Sequence, residues 1–155
     1  MKQSIKNVYI ISLVLVIIDQ FIKLVVSYNM PLNEPSVLIK GFLSIDLVHN
    51  TGAAFSILQG GRVFLISIGI VVIALLTLYI KNSEYVDTKK TIVYGLLLGG
   101  IIGNLIDRIV HGYVIDYISF TIINYNFPVF NFADICIVVA VVFALIFTIR
   151  EDLWN

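Results

Sequence analysis

Residues 63–80 are 18 consecutive positions without a charge, and apart from Ser67, Gly69 and Thr77 every one is apolar or aromatic. A membrane-crossing helix needs about 20 largely apolar residues, whereas a barrel strand needs about half as many. At 18 residues this run is the cleanest spanning helix of the chain. Three further runs are apolar: 8–26, interrupted by Asp19, Gln20 and Lys23; 91–106, ending at Asp107-Arg108; and 135–149, between Asp134 and Arg150. These three reach spanning length only if their polar ends sit at the interfaces. The whole chain is 59% hydrophobic and 13% charged over 155 residues, where soluble domains are roughly half apolar and about a quarter charged. The expected class is therefore membrane all-α, with four transmembrane helices at approximately 7–28, 62–81, 89–110 and 132–150. Outer loops fall at 29–61 and 111–131, in one membrane domain spanning 1–155.

The first run has the basic start and apolar middle of a signal peptide, but Asp19-Gln20-Phe21 stands where small residues should precede a cleavage site. It is expected to be a retained helix. Lys2, Lys6, Lys81, Lys89, Lys90 and Arg150 share one side if the helices alternate, against Lys40, Arg62 and Arg108 on the other. Basic residues concentrate on the cytoplasmic side, so both termini are expected inside and the two long loops outside. Lys plus Arg balances Asp plus Glu at 10 each, which gives no reason to expect a nucleic-acid partner.

Orientation turns sequence position into depth. At about 1.5 Å per helical residue, Asp19 lies roughly 20 Å above Lys6, Lys23 about 26 Å, Asp107 about 26 Å above Lys90, and Asp134 about 24 Å above Arg150. In a hydrocarbon core ~30 Å thick these groups converge on the outer third. Asp116 follows the third helix within a few residues and belongs at the same level. Ionised carboxylates there are costly unless paired, hydrated or used.

Taken along the chain, Asp19 and Lys23 lie one helical turn apart, as an ion pair with Lys23 snorkelling outward or as braces of a site. In loop 1, residues 36–49 alternate as strand does, punctuated by Gly41, so a small β-rich lobe at the membrane surface is expected. It leads into His49-Asn50-Thr51-Gly52-Ala53-Ala54-Phe55. Asn50 and Gly52 suit a turn, or alternatively an amide offered to a peptide backbone with small residues leaving room for it. His49 reads as an interface residue and not a base. Gly95, Gly99 and Gly103 recur at four-residue spacing, a face that admits a close helix neighbour. Gly100 and Asn104 share the adjacent stripe, with Asn104 and Asp107 stacked on one side. Arg108 could pair with an acid or with lipid phosphate. In loop 3, the stretch Val114-Ile115-Asp116-Tyr117 is too apolar for a free loop and is expected against the membrane. Asp134 suits a first-turn acid, but Asn131 is the better N-cap and would leave Asp134 free to point inward. Cys136, the one cysteine, excludes an internal disulfide and reads as packing.

Five blocks, in order, resemble the lipoprotein signal peptidase (signal peptidase II) family. They are Asp19-Gln20-Phe21-Ile22-Lys23, Asn50-Thr51-Gly52-Ala53-Ala54-Phe55, the run GGIIGNLIDR at 99–108, Val114-Ile115-Asp116-Tyr117 and Phe130-Asn131-Phe132-Ala133-Asp134. Tyr117 departs from a common family phenylalanine. The resemblance implies a bacterial plasma-membrane aspartic endopeptidase with four transmembrane helices, cytoplasmic termini and an extracytoplasmic β-rich lobe in loop 1. Its implied catalytic pair is Asp116 and Asp134. Asp19, Lys23, Asn50, Gly52, Asn104, Asp107, Arg108, Asn131 and Ala133 would support the site. The implied substrate is a diacylglyceryl-modified prolipoprotein, cut just before the lipidated cysteine. Globomycin-type cyclic peptides would inhibit, membrane lipid would surround the enzyme, a monomer would suffice, and no metal or organic cofactor is required.

Two other functions compete on the residues alone. A proton- or ion-coupled transporter component needs polar groups along a full crossing, but residues 63–80 supply almost none. A non-catalytic assembly protein accounts for the glycine face but not for Asp116 and Asp134.

Overall fold

The computed structural model describes residues 2–53, 58–83, 86–123 and 125–154. Four helices and four strands follow in the order α1 (Lys2–Asn29), β1 (Ser36–Ile39), β2 (Leu43–Asn50), α2 (Arg62–Asn82), α3 (Thr88–Val110), β3 (Val114–Ile122), β4 (Tyr125–Asn126) and α4 (Phe132–Trp154). Each helix contains a segment long and apolar enough to cross a membrane. α1 starts at Lys2, before the expected 7, and α4 runs on to Trp154, past the expected 150.

α3 is the central helix, packing on α1, α2 and α4. Its start is fixed by Asp87, whose side chain accepts from the Lys90 N–H at 2.7 Å. Its glycines are divided between neighbours. A Cβ on Gly95 or Gly99 would run into Ile11 or Leu15 of α1, and one on Gly100 would come within 2.5 Å of the Ala133 carbonyl oxygen of α4. Close approach of three helices therefore depends on small residues here, as expected where lipid supplies no hydrophobic drive between helices. α2 touches chiefly α3, and Arg62 at its start donates to the Arg108 and Ile109 carbonyls at 2.9 and 2.8 Å. Those are end-of-helix carbonyls that lack an intrahelical partner. Gly112 follows at φ +87, the left-handed conformation that ends α3 and turns the chain into β3.

The sheet is antiparallel in the order β1-β2-β3-β4. The β-rich lobe expected in loop 1 alone is thus built from both long loops, with β3 at its centre. The segment 114–117, expected in loop 3 against the membrane, is the start of that strand. It pairs with β2 at Val48↔Asp116, His49↔Ile115 and Asn50↔Val114, beyond a bulge between Ile45 and Val48. Side chains alternate along a strand. Val48, Asn50, Val114 and Asp116 consequently share one face, and Leu47, His49 and Ile115 contribute to the other. Leu47, Ile115 and Tyr117 form a buried cluster that seats the sheet against Ile22 and Val26 of α1.

Candidate active site

A cleft of about 720 Å³ opens where β2, β3, α3 and the start of α4 meet, and Asp116 and Asp134 both line it together with Asn50, Asn104 and Arg108. The rest of the wall is apolar, including Phe127, Val129, Ile135 and Val138. Asp116 is 2% exposed. Its Oδ1 accepts from Asn131 Nδ2 at 2.7 Å and its Oδ2 from Asn50 Nδ2 at 2.9 Å. Burial pushes its carboxyl up, to about 7, opposed by the Asn50 hydrogen bond and reinforced by the nearby Asp134 charge.

Asp134 owes its place to the first turn of α4. The Asn131 side chain accepts from the Asp134 N–H at 3.0 Å, and the Asp134 carboxylate accepts in return from the Asn131 N–H at 3.2 Å. This reciprocal arrangement is a capping box with aspartate in the glutamate position. The other Asp134 oxygen accepts from Asn104 Nδ2 at 2.7 Å. The next two orphan donors of the helix are met from elsewhere. Phe132 N–H donates to the Tyr117 hydroxyl oxygen at 3.2 Å and Ala133 N–H to Asp19 Oδ1 at 3.1 Å. Asn131 is therefore both the N-cap and the group joining the two aspartates, and it is fully buried. Ala133 serves through its backbone, with its small side chain packed toward Gly103 of α3.

Lys23 does not snorkel outward. It is 1% exposed, and its ammonium donates to Asp19 Oδ2 and Asp107 Oδ2, each at 2.8 Å, and to Asn104 Oδ1 at 3.0 Å. All three of its protons are used, which is how a buried ammonium escapes the cost of desolvation. Asp107 pairs with Lys23 and not with its neighbour Arg108, and it also accepts from the Ile115 N–H at 3.1 Å. Among the described residues Arg108 forms no salt bridge to an acid. It donates to the Gly52 carbonyl at 3.0 Å and to that of Asn104 at 3.3 Å. Asn50 likewise does not hold its amide free for a peptide. Its Oδ1 accepts from the Gly52 N–H at 2.9 Å, which turns the amide nitrogen onto Asp116. Ala54 and Phe55 of the same block lie outside the described residues.

All eleven residues singled out from the sequence thus form one connected network around the cleft. Two contributors were not singled out. Gln20 bonds to Asp19 and Asp107, and only its position beside Asp19 hinted at it. The Tyr117 hydroxyl caps α4, a role that the departure from phenylalanine could have signalled. His49 stacks on Tyr113 at 3.9 Å on the opposite face of the sheet, away from Asp116. Cys136 is buried in α4.

Four helices apolar enough to cross a membrane, with a cleft holding two carboxyls bonded to asparagines, define a membrane protein with a two-carboxyl cleft. The family model described as signal peptidase (SPase) II matches residues 11–150. Lipoprotein signal peptidases of Symbiobacterium thermophilum and Halothermothrix orenii are each 39% identical, the first over 85% of this chain and 87% of its own, the second over 94% and 97%. A bacterial membrane enzyme solved by the in meso method superposes with TM-score 0.87 at 30% identity, covering 95% of this chain and 90% of the other. The chain belongs to the signal peptidase II family, and is a transmembrane protease.

Proposed function

We propose that this protein is an aspartic endopeptidase that removes the signal peptide of diacylglyceryl-modified prolipoproteins, with Asp116 and Asp134 as its catalytic dyad. The observation that carries this reading is their joint presence in one cleft, each oriented by asparagine amides and linked through Asn131. Two close carboxyls do not readily ionise together, so one proton is shared at neutral pH. The ionised partner takes a proton from a water as its oxygen attacks the scissile carbonyl carbon. The protonated partner donates to the carbonyl oxygen, giving a gem-diol. Collapse breaks the C–N bond and the leaving nitrogen takes up a proton. The two titrations belong to the pair, so neither aspartate has a fixed role.

The apolar cleft wall suits acyl chains and an apolar peptide beside the scissile bond. The basic-residue bias supports a cleft end facing the extracytoplasmic side, where the lipid chains would stay in the bilayer while the bond before the lipidated cysteine reaches the dyad. One chain supplies both aspartates, so a monomer is sufficient. Globomycin-type cyclic peptides are expected to occupy the same cleft.

The test is cleavage of a diacylglyceryl-modified prolipoprotein by purified protein in lipid, for wild type, Asp116→Asn and Asp134→Asn, each shown to be folded. Cleavage just before the modified cysteine by wild type alone supports the dyad. Activity in either variant removes that aspartate from the mechanism. Equal cleavage of the same peptide without its acyl chains rules out the proposed use of the lipid.

A further inference from the structure

Four side chains close on one another beneath the dyad. Lys23 Nζ bridges Asp19 Oδ2 and Asp107 Oδ2. Gln20 Nε2 bridges the same two acids, lying 2.9 Å from Asp107 Oδ1 and 3.2 Å from Asp19 Oδ2, with the Gly103 carbonyl oxygen also at 3.2 Å. Every atom within its reach is an acceptor, so the amide nitrogen and not the oxygen must face them. Each acid then holds the backbone immediately before one dyad member. Asp19 accepts from Ala133 N–H, the residue before Asp134, and Asp107 accepts from Ile115 N–H, the residue before Asp116.

The two crosslinks differ in kind. An ammonium is a rotatable point donor, so two carboxylates joined through Lys23 alone can pivot about it. Gln20 adds a second attachment on the other Asp107 oxygen and a third to the α3 backbone, which stops the pivot. We propose that Gln20 is a positioning residue of the peptidase: by crosslinking Asp19 to Asp107 it fixes the spacing between the segments that carry Asp134 and Asp116. This rests on the dyad reading given above. The demand on spacing is severe, since a displacement of about 1 Å at a catalytic group can cost roughly 10²-fold in rate. Gln20 borders a second cleft of about 610 Å³, separate from the one lined by the dyad, so a replacement side chain has room there and does not touch the substrate.

Gln20→Met keeps the length and removes the donors. Its kcat should fall at least tenfold with KM within twofold of wild type, because the cleft wall is untouched. Gln20→Glu supplies a donor only when the new carboxyl is protonated; the groups bonded to or beside it are Asp19, Asp107 and Lys23, and the titratable His49, His111 and Tyr113 line the same second cleft. Its activity per folded molecule, with the folded fraction measured at each pH, should rise relative to wild type as pH falls, so that unfolding caused by the extra charge is separated from loss of positioning. A kcat for folded Gln20→Met within twofold of wild type overturns the proposal, and so does a flat pH ratio for Gln20→Glu. If the methionine variant does not fold, the glutamate ratio decides. Active Asp116→Asn or Asp134→Asn protein would remove the dyad itself. Inactive Asn variants beside wild-type-like Gln20 variants would remove only the positioning role.

Discussion

At the scale of single residues, Asp116 sets the pH behaviour. Its carboxyl is buried, and the resulting rise to about 7 exceeds what the Asn50 and Asn131 hydrogen bonds return. Between its ordinary range and about 7 the folded protein holds a proton that the unfolded chain releases. Asp116 thus contributes most stability at low pH, and that contribution is lost as pH rises through the folded value. Catalysis has the same sign on its alkaline side, because the dyad needs one proton. The kcat/KM profile for lipidated substrate should fall with rising pH around about 7. Replacing the Asn50 donor by leucine removes the largest lowering influence, so Asn50→Leu should move that fall to higher pH. An alkaline limb unchanged in this variant would mean that Asp116 does not control it.

At the scale of elements, the glycines of α3 separate packing from function. Gly95→Ala would press on Ile11 Cγ2 and Cβ of α1, at 2.6 and 2.9 Å, in a part of the helix that does not line the cleft. Gly100→Ala would meet the Ala133 carbonyl at 2.5 Å, a backbone atom in the turn that holds Asp134, and Gly103→Ala would meet Asp19 Oδ2 at the same distance. Overpacking of this kind typically costs about 1–3 kcal/mol, so all three variants should melt earlier in detergent. Only Gly100→Ala and Gly103→Ala should also lose cleavage activity by tenfold or more. If Gly95→Ala loses as much, the glycines act through general packing alone. The four-residue spacing made this face legible in the sequence, since helical period assigns side chains to stripes. β3 was not legible, because its partner β2 lies far off in sequence and Val114 to Tyr117 carries no turn signal of its own. Long-range pairing, unlike helical period, leaves no local trace.

At the scale of the whole molecule, the sequence made the convergence of the site residues legible but not their wiring. Counting residues from the basic flanks brought Asp19, Lys23, Asp107 and Asp134 to one level, and the structure joins them. Nothing in that count could show that Lys23 turns inward to two acids, or that Asn50 serves Asp116, since both depend on which helix or strand stands opposite. The same charge count makes a claim about which end of the bundle faces out. Cys136 is buried, so the wild-type chain is a quiet background for thiol labelling. Glu34 lies in the long segment between α1 and α2 and is exposed, and Ser83 lies in the short turn between α2 and α3. In intact cells stripped of any outer membrane, Glu34→Cys should react with a membrane-impermeant maleimide, and Ser83→Cys should react only after permeabilisation. The reverse pattern would place the cleft on the cytoplasmic side, where the balance of basic residues argues it does not belong. It would then require the scissile bond to be presented from within the cell, so the labelling result also decides from which side the substrate must arrive.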